Sequence, residues 1–267
     1  MKILITSPEA YHARLREAFS SSQQRELTPL FVPLIRTERM AKPAAMESFL
    51  RRINTFHYVI CASRMAVRVL AEMLAGSPLA NTGSPRLVAI GKDQDALRQL
   101  LHVEPALQNA EPSLMGIVRA LTQTSEFKAQ IPKLKVAVLL PAFEGLPVPT
   151  TITRFMDALV QTDAQIESVA CYQTVALPQN SYADVLRLVE REQPQAIALT
   201  SGGEAHVLAR LLRFAADEGT SVHLPIYSYG PYTTRCAQEA GLTIAATSPT
   251  FGSFDDFVAF LNHVFLC

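Results

Sequence analysis

No sign of charge prevails in this 267-residue chain: 24 Lys and Arg stand against 24 Asp and Glu, a formal net charge of zero. A nucleic-acid binder ordinarily carries a basic excess, so the balance argues against that class and leaves only a local basic patch open. Cysteine is scarce as well. Cys61, Cys171, Cys236 and Cys267 form no CxxC pair, and their spacings are long and irregular. That excludes a disulfide frame or a thiolate zinc site and reads as incidental thiols in a reducing compartment. The six histidines (His12, His57, His102, His206, His223 and His263) show no HxxH or HExxH spacing, so no metal site is expected. No apolar run reaches the roughly 18 residues of a membrane span. The opening MKILITSPEA turns polar after five residues, too soon for a secretory leader. A soluble cytoplasmic protein is expected.

What is present is apolar material in short pieces. Hydrophobic residues make up 49% and charged residues 18%, which excludes global disorder. The length suits one large or two modest domains with a sizeable core. Strand-like runs at 3–5, 30–35, 58–61, 87–90, 135–140, 166–172, 196–200, 225–229 and 242–246 alternate with helix-period segments. Those segments are 12–19, 66–74 (closed by Gly76-Ser77-Pro78), 93–101, 113–121, 152–160, 182–192, 205–214, 232–240 and 254–265. Alternating strands and helices of these lengths predict an α/β fold, with parallel sheets covered by helices on both faces.

The chain also repeats itself in order. FHYVICASRMAVRVLAEML resembles PQAIALTSGGEAHVLARLL, LVAIGKDQDALRQL resembles PIYSYGPYTTRCAQEAG, and SLMGIVRAL resembles SFDDFVAFL. The Ser63/Ser201 and Gly91/Gly230 pairs lie about 138 and 139 residues apart. The opening 2–35 resembles 135–173. Two similar domains are expected. Extended, proline-flanked segments at the joins, TPLFVPLIRTE and VACYQTVALPQ, would make one domain discontinuous if they cross side by side. Which halves pair is open at this level.

Chemistry is sought where strands end. Thr6-Ser7, Ala62-Ser63, Thr200-Ser201-Gly202-Gly203 and Tyr229-Gly230-Pro231 each open a helix. Ligands of parallel α/β sheets gather at the carboxyl ends of strands, where helix N-termini offer unpaired N–H groups to carboxylates or phosphates. Simple capping by Ser and Thr uses the same residues. There is no Walker A, no GxGxxG and no GxSxG, and no Ser-His-Asp order stands out. Asp255-Asp256 opens a helix, where dipole compensation accounts for it. Tyr172, in the extended segment Ala170–Thr174, either packs at an interface or gives a proton to a leaving group.

These segments carry a resemblance. Val169–Val175 (VACYQTV) resembles the "VYQT" strand of the uroporphyrinogen-III synthase family, and Tyr229–Thr234 (YGPYTT) its "IGPTTA" turn. Cys61–Val67 resembles "FTSxxAV" and Leu199–Gly202 resembles "FTSP", all at the family's spacing and over essentially the whole chain. The sequence also departs from the pattern. Ser7 stands in Thr6-Ser7-Pro8 for a common Arg, Tyr232 for a frequent Thr, Gln94 and Ala62 for threonines, and Leu140–Glu144 lacks the usual Gly-rich turn.

The resemblance implies two similar flavodoxin-like domains joined by a two-stranded linker. Residues 1–35 with 174–267 would form the discontinuous one, and 36–173 the inserted one, with linkers near 33–38 and 170–178. It implies cyclisation of linear hydroxymethylbilane to uroporphyrinogen III, with inversion of ring D and loss of water, in heme and siroheme biosynthesis. No cofactor is implied. Tyr172 matches the favoured acid for the departing hydroxyl. Thr6, Ser7, Ser63, Thr200, Ser201, Gly202, Gly230, Pro231, Tyr232 and Thr233 match substrate-binding positions around an inter-domain cleft. Arg64, Lys92, Arg154 and Arg235 lie near these turns. The family implies a monomer, with hand-over of the bilane from hydroxymethylbilane synthase. A non-catalytic tetrapyrrole- or anion-binding module on the same scaffold is the alternative. Because the chain is neutral while the substrate carries eight carboxylates, N–H groups and hydroxyls rather than a basic surface should meet them. The apparent Michaelis constant should therefore change only mildly between low and physiological salt. A steep rise with ionic strength would count against this.

Overall fold

The computed structural model describes residues 1–22, 27–40, 44–75, 85–91, 93–107, 111 and 113–266. Ten strands are described: β1 (Lys2–Ile5), β2 (Thr28–Phe31), β3 (Ile35–Arg39), β4 (Tyr58–Cys61), β5 (Arg86–Ala89), β6 (Lys135–Glu144), β7 (Gln165–Ala176), β8 (Ala196–Leu199), β9 (Ile226–Ser228) and β10 (Ala246–Thr247). The helices are α1 (His12–Ser21), α2 (Ala44–Arg52), α3 (Arg64–Met73), α4 (Asp93–Ala96, continuing as a π-helical turn over Leu97–Leu101), α5 (Leu114–Gln123), α6 (Ser125–Gln130), α7 (Thr150–Val160), α8 (Tyr182–Glu192), α9 (Gly202–Asp217), α10 (Pro231–Glu239) and α11 (Phe254–Leu266).

The chain divides into two compact units. The first holds Met1–Thr37, Glu144–Pro147 and Thr174–Cys267, and the second holds Glu38–Phe143 and Val148–Gln173. In the first unit the sheet order is β10-β9-β8-β1-β2, and every adjacent pair is parallel. Counted along the chain this is the flavodoxin order 2-1-3-4-5, whose strand sequence reverses between β1 and β8. The second sheet runs β3-β7-β6-β4-β5, with β4 parallel to both β5 and β6. It has the same arrangement for β4 to β7, reversing between β4 and β6, and β3 takes the outer place.

Period-2 alternation sorts each strand's apolar residues onto two buried faces. In the first unit Leu4, Ile197, Leu199 and Ile226 join the core with Val185 of α8, Leu208 of α9 and Ala237 of α10. Ile3, Ile5, Ala198 and Tyr227 face Leu15 of α1 and Phe257 of α11. In the second unit Val59, Cys61, Leu87 and Leu139 pack on Phe49 of α2 and Val67 of α3. Tyr58, Ile60, Val88 and Val138 pack on Ile117 of α5, Phe127 of α6 and Phe155 of α7. Cys61, Cys171 and Cys236 are buried free thiols, and Cys267 lies outside the described residues. Burial pushes the Cys61 thiol up and that of Cys171 to about 12, so both stay neutral packing groups. No helix among the described residues is long and apolar enough to cross a membrane.

The structure departs from the sequence reading in places. The single strand expected over 30–35 is two strands, β2 and β3. Between them Val32 N–H donates to Ile5 O at 2.9 Å and Leu34 N–H to Thr6 O at 3.1 Å, while Pro33 has no N–H to give. Helices α2 and α6 were not expected. The first has its apolar stripe at Met46, Phe49 and Ile53, whereas α6 buries one large side chain, Phe127, and is capped by Thr124. The strand expected over 242–246 is only Ala246–Thr247, because Leu242 instead joins the helix-facing core. The expected Gly76–Pro78 stop lies outside the described residues.

Helix α9 begins at Gly202, against α10. A Cβ there would stand 2.6 Å from Cys236 Sγ and 2.9 Å from its Cβ. Gly202→Ala should therefore lower stability by about 1–3 kcal/mol from overpacking. Urea unfolding should show Cys236→Ala recovering part of that loss, since the sulfur contact goes and the Cβ contact stays. Independent, additive effects of the two changes would refute the contact.

Candidate active site

In the first unit the strand-end residues meet at the reversal between β1 and β8, and a residue the sequence reading passed over joins them. Glu204, in the first turn of α9, has 0% exposure. Its Oε1 accepts from Thr200 Oγ1 at 2.6 Å and Ser201 Oγ at 2.9 Å. Its Oε2 accepts from Thr200 N–H at 2.8 Å and lies 2.7 Å from Thr6 Oγ1. Ser201 caps the helix, and its oxygen in turn accepts Glu204 N–H at 3.4 Å. The available signal was the S-x-x-E spacing of Ser201 and Glu204, a capping-box pattern.

Thr6 Oγ1 is also 3.1 Å from Ala198 O, but one hydroxyl proton cannot serve both acceptors. Ala198 O already takes Thr6 N–H at 3.3 Å. Ionised, Glu204 takes the Thr6 proton. Protonated, it gives its own to Thr6, which turns to Ala198. The network accommodates either state, and burial, with no ion pair on the carboxyl, raises the Glu204 pKa against the opposing hydrogen bonds.

Thr6 and Ser7 are wholly buried, and Ser7 Oγ makes no hydrogen bond. Gly230 caps α10 in extended backbone, with Pro231 in the first turn. A Cβ on Gly230 would lie 3.0 Å from that of Phe251, so close approach explains the glycine. Thr233, nearly buried, reaches Thr200 O with a long 3.5 Å bond, and Tyr232 stands beside Gly202. Beside them Thr234 Oγ1 meets Ser228 Oγ at 2.5 Å and Thr247 Oγ1 at 2.6 Å, a hydroxyl cluster at the ends of β9 and β10 that sequence reasoning also missed.

In the second unit Ser63 caps α3, accepting Ala66 N–H at 3.2 Å. Its Oγ lies 2.9 Å from the phenolic oxygen of Tyr172, which is 6% exposed on β7. Gln94 donates to Leu107 O at 3.1 Å and Ala89 O at 3.4 Å, a buried cross-tie rather than a group facing a ligand. Arg64 pairs with Asp93 at 3.2 Å, and burial raises the Asp93 pKa against that pairing. Arg154 and Arg235 are exposed, and Lys92 lies outside the described residues. Thus Thr6, Thr200, Ser201, Gly202, Tyr232 and Thr233 gather in one unit, and Ser63 with Tyr172 in the other. Among the described residues no cluster of three or more His, Cys, Asp or Glu could hold a metal ion.

Residues 13–255 match the family model described as Uroporphyrinogen-III synthase HemD. The chain is similar over its length to a mutant uroporphyrinogen III synthase from the extremely thermophilic bacterium Thermus thermophilus, with 14% identity and a TM-score of 0.64 covering 100% of this chain and 99% of that one. A wild-type crystal form of the Thermus thermophilus enzyme matches at 15% identity and a TM-score of 0.49, covering 100% and 98%. No curated protein matches.

The raised Glu204 pKa has a stability consequence of definite sign. The folded chain keeps a proton that the unfolded chain has released above its ordinary value of 4.5. The contribution of Glu204 to stability should therefore fall as pH rises from there toward its folded pKa. Glu204→Gln should show a flatter pH dependence in that window. It should also be less stable by about 1–3 kcal/mol, because the amide NH2 replaces one carboxylate oxygen and leaves either the Thr200 and Ser201 hydroxyls or Thr200 N–H without an acceptor. Denaturant unfolding at several pH values checks this, and equal slopes for both proteins would refute it.

Proposed function

The chain belongs to the uroporphyrinogen-III synthase family, and from that premise we propose how its residues divide the work of ring closure. The enzyme acts in tetrapyrrole biosynthesis, converting linear hydroxymethylbilane to uroporphyrinogen III. Unassisted bilane closes to isomer I, so catalysis must win a competition by holding a folded conformer. The gain comes from fitting the transition state better than the open chain.

The observation that carries the assignment of roles is the 2.9 Å bond between Ser63 and Tyr172. Ser63 Oγ already accepts Ala66 N–H and has one proton left. Donated to Tyr172, that proton aims the phenolic O–H away from Ser63 and steadies the phenolate as it forms. Tyr172 gives its proton to the terminal hydroxyl, the C–O bond breaks and water leaves, producing an azafulvene cation. The substituted carbon of ring D attacks, giving a spiro-pyrrolenine that fragments and recloses with ring D inverted. The proton lost on rearomatisation returns to the phenolate, so the balance is one water.

The substrate carboxylates fall to the first-turn N–H groups of α9 and α10. Thr200 and Ser201 have their hydroxyl protons directed at Glu204 and serve as supports for the turn. Thr6 and Ser7 act from beneath, as buried parts of the same turn. We keep the domain boundaries expected from the family, 1–35 with 174–267 and 36–173, as part of this proposal. We take the enzyme to work as a cytoplasmic monomer, receiving the bilane from hydroxymethylbilane synthase before it closes unaided.

Hydroxymethylbilane generated in situ, followed by oxidation and isomer separation, should yield isomer III. Only isomer I at the protein-free rate would sink the assignment and leave a non-catalytic binding module. Tyr172→Phe should cut isomer III formation on the order of 10²-fold with the fold intact. Ser63→Ala should fall by less, and should lose about 1 kcal/mol of stability with the helix cap. Unchanged turnover in Tyr172→Phe would move the acid elsewhere.

A further inference from the structure

A second concave feature of the first unit shares no residue with the strand-end turns. It is a cavity of about 470 Å³ bordered by the start of β3, the ends of β6 and β7, and the C-terminal half of α9. That volume falls within the range of small-molecule sites.

Its chemistry is set by α9. Arg210 and Arg213 are three residues apart and so share a helix face, where like charges repel. Both line the cavity, and Arg36 of β3 adds a third guanidinium. Arg210 is held in place by donating to Gly145 O at 2.6 Å. Its Nε–H is buried and has no acceptor among the described residues. An unmatched buried donor on a charged group is costly and rarely kept without a reason. Arg213 anchors its Nε on Ala209 O at 3.2 Å. Glu144 and Asp217 also border the cavity. Among the described residues, however, neither stands within 4.0 Å of Arg210 or Arg213 as an ion pair. Val175, Leu177, Pro178 and Phe214 supply an apolar stretch of wall, beside Gln179 and Tyr182.

We propose that this cavity is a second anion site, distinct from the bilane site, for a small organic anion that sets a carboxylate or phosphate group on an apolar, ring-sized body. The guanidinium forks match the planar or tetrahedral oxyanion. The apolar wall receives the body. Arg210 and Arg213, with no carboxylate in ion-pair reach among the described residues, supply the charge that a single anionic group needs.

Calorimetric titration of the full chain with phenyl phosphate, benzoate and inorganic phosphate tests this, repeated on Arg213→Gln, Arg210→Gln and Thr233→Val. One saturable site for phenyl phosphate or benzoate is expected, at least about tenfold tighter than for inorganic phosphate. The tighter of the two organic probes tells whether phosphate or carboxylate is preferred. Arg213→Gln should weaken binding about tenfold while isomer III formation is unchanged, and Thr233→Val should leave the affinity as it is. Arg210→Gln releases the Gly145 turn; if it fails to fold, exposed Arg213 carries the test alone. No saturable binding, binding that survives Arg213→Gln, or binding lost in Thr233→Val would overturn the proposal. Loss of cyclisation in folded Arg213→Gln would overturn its separateness from the bilane site.

Discussion

A carboxyl group with no exposed surface and, among the described residues, no cation paired with it sits where the strand order of the first sheet reverses, and it ties the ends of the two central strands together. In a 2-1-3-4-5 sheet the crevice between the two central strands is where a ligand would enter. Here Glu204 fills it, joining Thr6 after β1 to Thr200 and Ser201 after β8. The helix N-terminus supplies the partial positive charge that makes a buried carboxylate tolerable there. The Thr6 hydroxyl can turn either toward Glu204 or toward Ala198 O, so the crevice stays satisfied whichever protonation state prevails.

The second unit starts from the same arrangement and puts it to another use. Ser63 and Ser201 are equivalent helix caps, each accepting an N–H three residues on. Ser201 directs its proton to Glu204 within its own helix, whereas Ser63 faces Tyr172, 109 residues away on β7. One cap is closed locally and becomes rigid support. The other is open to a partner that can do acid chemistry. A duplicated scaffold thus becomes asymmetric through the identity of the third residue after the cap: Glu204 in one unit, Ala66 in the other.

The order of strands and helices was legible because each element buries apolar residues at its own period. Helix α8 runs Tyr182–Glu192 as the spacing predicts, and ends where Gln193 turns left-handed at φ 49°. The losses have local causes. Pro33 breaks what reads as one run, and α6 buries too few large side chains to show a stripe. The strand-end residues were legible as positions but not as roles. Hydroxyls at a helix start look alike whether they face solvent or a buried acid, and only the fold shows that Thr200 and Ser201 face Glu204. Gln94 was read as a departure from the family's threonine. Its two carbonyl partners, Ala89 and Leu107, show that it ties a strand to the chain beyond the helix.

Under the proposed division of roles, this changes how a neutral chain would hold a substrate with eight carboxylates. If strand-end hydroxyls donated to substrate, each would have to give up a partner inside the protein. Those on Thr200 and Ser201 already have one at 2.6 and 2.9 Å. In the first turn of α9 the Glu204 N–H is taken by Ser201 Oγ at 3.4 Å, while the N–H groups of Gly202 and Gly203 have no helical acceptor. They are also fixed in direction by the fold and require no charged side chain to be desolvated. The buried hydrogen-bond network ties the start of α9 to the ends of β1 and β8 and so fixes the direction of its backbone donors. Discrimination between isomers needs such fixity, because the competing closure of the bilane requires no catalyst and differs only in the conformer from which it starts.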